Sequence, residues 1–263
     1  MIEKKDALIS YEDRGFLFGD GIFETMIINN KKPVMWNYHI DRLNSGLDAI
    51  KISFDTSKLL QQLESLIQYN NITKAIAKII ITRGIGSKGY LPNQNNQPTL
   101  IIELKEIPKI KHNIDLYVSS YKKTNISSAP INMKLIQSMN SILSKMEAQN
   151  NHCDDGLLLN NDNFITETSS SNIFWVKNDI IYTPDLKLGL LEGTMRKFIL
   201  NEFEVKEIKA NINELSLADE VFISNSVSLL QNVKNIKPYK FSYSNHKYYD
   251  MILLHIQKYI NNE

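Results

Sequence analysis

The feature that most constrains this chain is a change of hydrophobic period near residue 70. Ile40, Leu43, Leu47 and Ile50 recur at i, i+3, i+7 and i+10, and Leu59, Leu63, Leu66 and Ile67 repeat a similar spacing. Both patterns fit one face of a helix, so residues 37–51 and 57–69 are expected as amphipathic helices. The runs 75–82 and 99–104 are instead rich in β-branched and apolar residues and are expected as strands. Between them, residues 84–98 carry Gly, Pro and Asn and continue neither strand. Helices with one apolar stripe need a sheet to cover, so the first third is expected as an α+β unit.

Ile107-Pro108-Lys109-Ile110-Lys111 is polar and carries a proline, the composition of an interdomain linker. The expected division is a small N-terminal domain, 1–110, and a larger strand-rich C-terminal domain, 111–263. In the latter, Asp115 to Tyr121 is expected as a strand, and Ile136, Met139, Leu143 and Met146 as one face of a helix. Strands follow at 157–160, 164–166, 172–177 and 180–183, with turns at Asn160-Asn161-Asp162-Asn163 and Asn178-Asp179. Gly193 opens a further helix, 220–224 is a strand, and Tyr249, Ile252, Leu253, Ile256 and Ile260 mark a closing helix. The fold class is therefore α+β in two domains.

Charge and cysteine usage remove several classes of function. Thirty basic and 29 acidic residues leave a net charge of +1, which gives no electrostatic reason to expect a nucleic-acid or membrane partner. Cys153 is the single cysteine, so no intramolecular disulfide or cysteine-based metal cluster can form. His112, His152, His246 and His255 lack metal-ligand spacing. No run approaches about 18 apolar residues and the first residues have no signal-peptide core, so a cytoplasmic, unexported protein is expected. Small-molecule chemistry is the remaining expectation.

Three segments have the residues that an anionic ligand needs. In Leu191-Glu192-Gly193-Thr194-Met195-Arg196 a glycine precedes a helix and can present free N–H groups to a phosphate. Ser169-Ser170-Ser171-Asn172 follows Glu167 and precedes a strand. Arg83-Gly84-Ile85-Gly86-Ser87-Lys88-Gly89-Tyr90 puts two cations and an aromatic on a glycine-rich loop, which suits a carboxylate. Singly, each reads as well as a turn, a polar loop or a solvated surface loop.

Together with Asp13-Arg14-Gly15-Phe16-Leu17-Phe18-Gly19-Asp20-Gly21-Ile22-Phe23-Glu24-Thr25, His39-Ile40-Asp41-Arg42-Leu43 and Thr166-Glu167-Thr168-Ser169-Ser170-Ser171-Asn172-Ile173-Phe174, these segments resemble the fold-type IV pyridoxal-phosphate (PLP) enzymes over nearly the whole chain. That family includes D-amino-acid aminotransferase, branched-chain aminotransferase and aminodeoxychorismate lyase. Its lysine motif can be set on Met133-Lys134-Leu135-Ile136-Gln137 in two ways. Placing Gln137 at the lysine position makes the protein a non-catalytic module. Placing Lys134 there aligns Lys145, Glu147, Ala148, Asp155 and Glu167 without a gap, the last 33 residues on, and this register is preferred. Leu135 and Gln137 then depart from the family's Ser/Thr and Asn.

The resemblance implies a small α/β sandwich domain joined to a larger strand-rich one, and a homodimer. It also implies that Lys134 forms the Schiff base with PLP and that Glu167 pairs with the ring nitrogen. Arg42, the backbone at Gly193, Thr194 and Met195, and Ser226 would hold the phosphate. Leu191 would pack on the ring, with Ser171 and Asn172 beside it. Glu24, Arg83, Lys88 and Tyr90 would meet a small amino and carboxylate substrate, Arg83 alternatively being structural or at the cleft rim, with Lys88 standing where the lyases and D-amino-acid enzymes usually have arginine. The loop and the Gly-Thr-Met-Arg segment most resemble the lyase, which releases pyruvate to give 4-aminobenzoate. An aminotransferase for D-amino or branched-chain amino acids is the alternative.

Overall fold

The computed structural model describes residues 7–86, 89–93, 96–123 and 132–262. The chain forms two compact units, one of Met1–Ile107 with Met133–Gln137, the other of Pro108–Asn132 with Ser138–Glu263.

The first unit is a four-stranded antiparallel sheet. Its strands are β1 (Gly21–Asn29), β2 (Lys32–Pro33), β3 (Ala75–Ile85) and β4 (Gln97–Lys105), in the order β2-β1-β3-β4. Helices α2 (Trp36–Ala49) and α3 (Leu59–Tyr69) take the two predicted helical stretches. Leu43, Leu47, Leu59, Leu63 and Ile67 bury against Ile22, Met26, Ile28, Ala77, Ile79 and Ile81, the inward file of β1 and β3. A Cβ at Gly46 would stand 2.0 Å from Ile22 Cδ1, so any larger residue there would push the Ile22 methyl aside.

The acidic residues of the opening motif are structural ties. The short helix α1 (Arg14–Phe18) is N-capped by Asp13, whose carboxylate accepts from Gly15 N at 2.8 Å and from the hydroxyls of Thr82 and Thr99 at 2.9 and 2.7 Å. Gly19 closes α1 at φ 65°, the left-handed conformation a terminal glycine adopts at low cost.

In the second unit the strands are β5 (Asn113–Lys123), β6 (Asp155–Asn160), β7 (Ile165–Thr168), β8 (Asn172–Lys177), β9 (Ile180–Pro184), β10 (Val205–Ile208), β11 (Glu220–Asn225), β12 (Leu229–Lys237) and β13 (Phe241–Ser242). They lie in the order β10-β9-β8-β11-β12-β5-β6-β7, with β13 on β12. A further pairing of β7 with β8, through Glu167 and Asn172, closes six of these strands into a ring. Ile114, Leu116, Leu157, Ile173, Trp175, Val221, Ile223 and Val233 form its core. Asn178 and Asp179 both have positive φ, 52° and 58°, and join β8 to β9 as the tight turn their residue types predict.

Several predicted boundaries change; β3 and β4 reach into the 84–98 stretch that was expected to continue neither strand, pairing Ile85 with Gln97. Helix α4 (Met139–Asn150) starts after Ile136, whose N–H bonds to Gly21 O at 3.1 Å while Leu135 bridges Ile22. Pairing with β1 overrides the helical spacing that had drawn Ile136 into the helix. Helices α5 (Thr194–Glu202) and α6 (Lys247–Asn262) match expectation. Among the described residues no helix is long and apolar enough to cross a membrane.

Leu63 is wholly buried. Leu63→Ala is expected to destabilise the first unit by about 2–5 kcal/mol, the cost of a core cavity. Urea unfolding should show this against Tyr69→Ala, an exposed position on the same helix expected to shift little.

Candidate active site

In the first unit, Glu24 interrupts the apolar file of β1 and is fully buried. A carboxylate there requires partners. Arg42, on α2, supplies two charge-assisted bonds, Nε to Oε1 at 2.7 Å and Nη2 to Oε2 at 2.6 Å. His39, one turn earlier, places Nδ1 2.7 Å from Oε2. Burial works to raise the Glu24 pKa, but the charge and hydrogen bonds of Arg42, aided by His39, outweigh it and hold it at about 2. Burial lowers the pKa of His39 despite Glu24, with the charges of Arg42 and Lys134 acting the same way.

Lys134 belongs to this unit. Its carbonyl accepts from Phe23 N at 3.0 Å, and its ammonium lies over the Phe23 ring, 4.6 Å from the centroid. The lysine is thus fixed beside the strand that carries Glu24. Gln137 Nε2 donates to Phe18 O at 3.1 Å.

The remaining substrate candidates have other surroundings. Arg83 forms a fork on Asp20, Nε to Oδ2 at 2.8 Å and Nη2 to Oδ1 at 3.0 Å, and donates to the carbonyls of Ile50 and Lys51 at the end of α2. A substrate carboxylate would have to compete with these. Glu24 likewise is enclosed by Arg42 and His39. Tyr90 is 90 % exposed, near Phe18, and its carbonyl accepts from Arg14 Nη2 at 3.0 Å. Lys88 lies outside the described residues.

In the second unit, Glu167, Asn172, Leu191 and Gly193 converge. Glu167 Oε2 accepts from Leu191 N at 3.0 Å and from Asn172 Nδ2 at 3.3 Å, and the same amide donates to Leu191 O at 2.9 Å. A Cβ at Gly193 would fall 2.0 Å from Asn172 Oδ1, so that glycine makes room for the amide. Gly193 is also the N-cap of α5 and has no side-chain acceptor, which leaves the first-turn N–H groups of Thr194 and Met195 uncapped by it. Ser171 accepts from Asn225 Nδ2 at 2.8 Å, and Asn225 Oδ1 in turn accepts from Val227 N and Ser228 N, enclosing Ser226 in a turn.

The serine run does two jobs. Ser169 and Ser170, with Thr168, bond to the buried Asp155 and shape the loop, leaving Ser171 on the β11 side. Lys123, which gives no sequence signal, pairs with Glu167 Oε1 at 2.6 Å, and among the described residues Ser224 Oγ is buried without a hydrogen-bond partner. A serine near Ser226 was anticipated, but the orphan hydroxyl of Ser224 only shows once β11 is placed. An acceptor carboxylate braced by donors, a helix N-terminus whose first-turn N–H groups Gly193 does not cap, and an orphan hydroxyl form a set of polar groups that fits a phosphorylated pyridine.

The model of the amino-transferase class IV family matches residues 21–236. The chain is 31% identical to the aminodeoxychorismate lyase of Bacillus subtilis over 240 residues, covering 86% of this chain and 80% of that protein. To the D-alanine aminotransferase of Listeria monocytogenes it is 27% identical over 246 residues, covering 90% and 85%. The crystal structure of 4-amino-4-deoxychorismate lyase from Pseudomonas aeruginosa superposes with a TM-score of 0.86 at 24% identity, covering 96% and 95%, a likeness of fold.

A carboxyl held at about 2 in the folded protein, against an ordinary 4.5, stabilises it fully above about pH 4.5, and this contribution is lost as pH falls toward 2. Glu24→Gln leaves the largely buried Arg42 without its counter-charge and is expected to cost about 3 kcal/mol or more at neutral pH. The difference from the unsubstituted protein should shrink between pH 4.5 and 2, read from melting temperatures across that range.

Proposed function

The chain belongs to the amino-transferase class IV family, a family of PLP-dependent enzymes, and from that premise we propose that it is a 4-amino-4-deoxychorismate lyase releasing pyruvate to give 4-aminobenzoate. The observation that carries the choice of reaction is the 31% identity to the Bacillus subtilis lyase over most of both chains. The Arg-Gly-x-Gly-x-Lys-Gly-Tyr loop of residues 83–90 and Gly193-Thr194-Met195-Arg196 support it.

PLP, when bound, supplies an aldehyde that captures the substrate amine and an electron-poor ring that draws charge from the substrate carbon. Lys134 would be the amine that holds the cofactor and the base that takes the proton from the amine-bearing carbon as the ring becomes aromatic, that proton leaving with the pyruvate. Its backbone pairing with Phe23 gives the side chain a fixed origin, which proton transfer requires. Glu167, held in place by Leu191 N and Asn172, would accept a hydrogen bond from the ring nitrogen, and Leu191 would cover the ring.

Groups suited to a phosphate dianion would be the guanidinium of Arg42 and, in the second unit, the first turn of α5 with the hydroxyls of Ser224 and Ser226. Glu24 acts through Arg42 by orienting its guanidinium. Lys88 and Tyr90 bind the substrate carboxylate, Lys88 as a point charge. The protein works as a homodimer in the cytoplasm.

An aminotransferase is the second reading, favoured by the similarity to the Listeria D-alanine aminotransferase. The lyase reading predicts stoichiometric pyruvate from aminodeoxychorismate with no 2-oxo-acid present, and loss of at least about a thousandfold in rate for Lys134→Ala. Turnover only on addition of a 2-oxo acid would replace the lyase by the transaminase.

A further inference from the structure

Lys123 ends β5 with its ammonium 2.6 Å from Glu167 Oε1. Its neighbour Lys122 turns elsewhere, to Asn163 Oδ1 at 3.0 Å. The side chains of Lys123 and Glu167 are 18% and 8% exposed, so solvent screens this pair less than a surface one. A carboxylate offers about four lone-pair positions. Among the described residues Leu191 N and Asn172 Nδ2 fill two on Oε2 and Lys123 fills one on Oε1. The remaining position is on Oε1, the oxygen that Lys123 already holds.

A ring nitrogen that donates to Glu167 would therefore share one oxygen with an ammonium. Two cations at one oxygen repel, and each weakens the other's hold. Lys123 does not suit the role of carrier lysine, because the cofactor's aldehyde lies across the ring from its nitrogen. An amine touching the nitrogen's partner stands at the wrong end. In the cofactor-free protein the same amine has a clear use, since a largely buried carboxylate with only neutral donors is costly.

Resting on the PLP reading above, we propose that Lys123 is a placeholder cation: it matches the charge of Glu167 while the site is empty of cofactor and yields Oε1 to the ring nitrogen when PLP binds. Lys123 is thus a positioning residue that sets how tightly the cofactor is held. Its presence stabilises the apo-protein more than the holo-protein and lowers the affinity for PLP.

The test compares the unsubstituted protein, Lys123→Met and Lys123→Arg, each stripped of cofactor and then titrated with PLP, by melting temperature and by the visible absorption of the bound cofactor. Apo Lys123→Met is expected to melt several degrees below the unsubstituted apo-protein, and the two to converge at saturating PLP. Its Kd for PLP should fall roughly tenfold, and Lys123→Arg should restore the original values. In a Glu167→Gln background the Lys123→Met substitution should leave PLP affinity unchanged. An equal drop in melting temperature with and without PLP, or weaker PLP binding by Lys123→Met, overturns the placeholder role while leaving PLP binding intact. Failure of the unsubstituted protein to bind PLP at all overturns the cofactor reading and this inference with it.

Discussion

The second unit depends on one closure. Six strands form a ring because β7 pairs with β8, and the paired residues are Glu167 and Asn172. The residues that close the ring are also those assigned to the cofactor nitrogen. Backbone pairing fixes the origin of both side chains, and hydrogen bonds among Glu167, Asn172 and the Leu191 amide fix their ends. A carboxylate held at both ends needs little reorganisation to meet a ring nitrogen, which is how preorganised sites gain over water. Gly193 completes the arrangement by leaving space for the Asn172 amide just before α5 begins.

The first unit solves a different problem, a charge inside an apolar file. Glu24 shares the inward face of β1 with Ile22, Met26 and Ile28. Replacing the carboxylate with an apolar residue would remove the desolvation cost, so the sheet alone does not explain it. Its two-point hold on Arg42 does, because a long flexible cation becomes a fixed one. The pairing of Met133–Gln137 with β1 then sets Lys134 beside the same strand.

Local pattern sufficed wherever one element decides its own form. The periodicity of α2 and α3 and the two positive-φ residues at Asn178-Asp179 were readable because each depends on neighbours in sequence. Ile136 was drawn into a helix because its spacing suits one, while its real partner, Gly21, lies far away along the chain. Strand β1 coincides with the opening motif, and Glu24 interrupts the apolar alternation of its inward file, so period alone does not mark it as a strand. Lys123 gives no signal among many lysines; only the β5-β6-β7 strand order brings it to Glu167. Arg83 had the right type and loop for a carboxylate, and Asp20, an acid from the opening motif, is what it meets. Relatives and fold agree on the family.

The proposed chemistry stands on Lys134 as the residue that carries the cofactor. Borohydride reduction of the PLP-loaded protein followed by peptide mapping tests it most directly. A phosphopyridoxyl group on Lys134 is the predicted result; the label on another lysine, Lys123 included, or no label on a protein that has bound PLP, would contradict it.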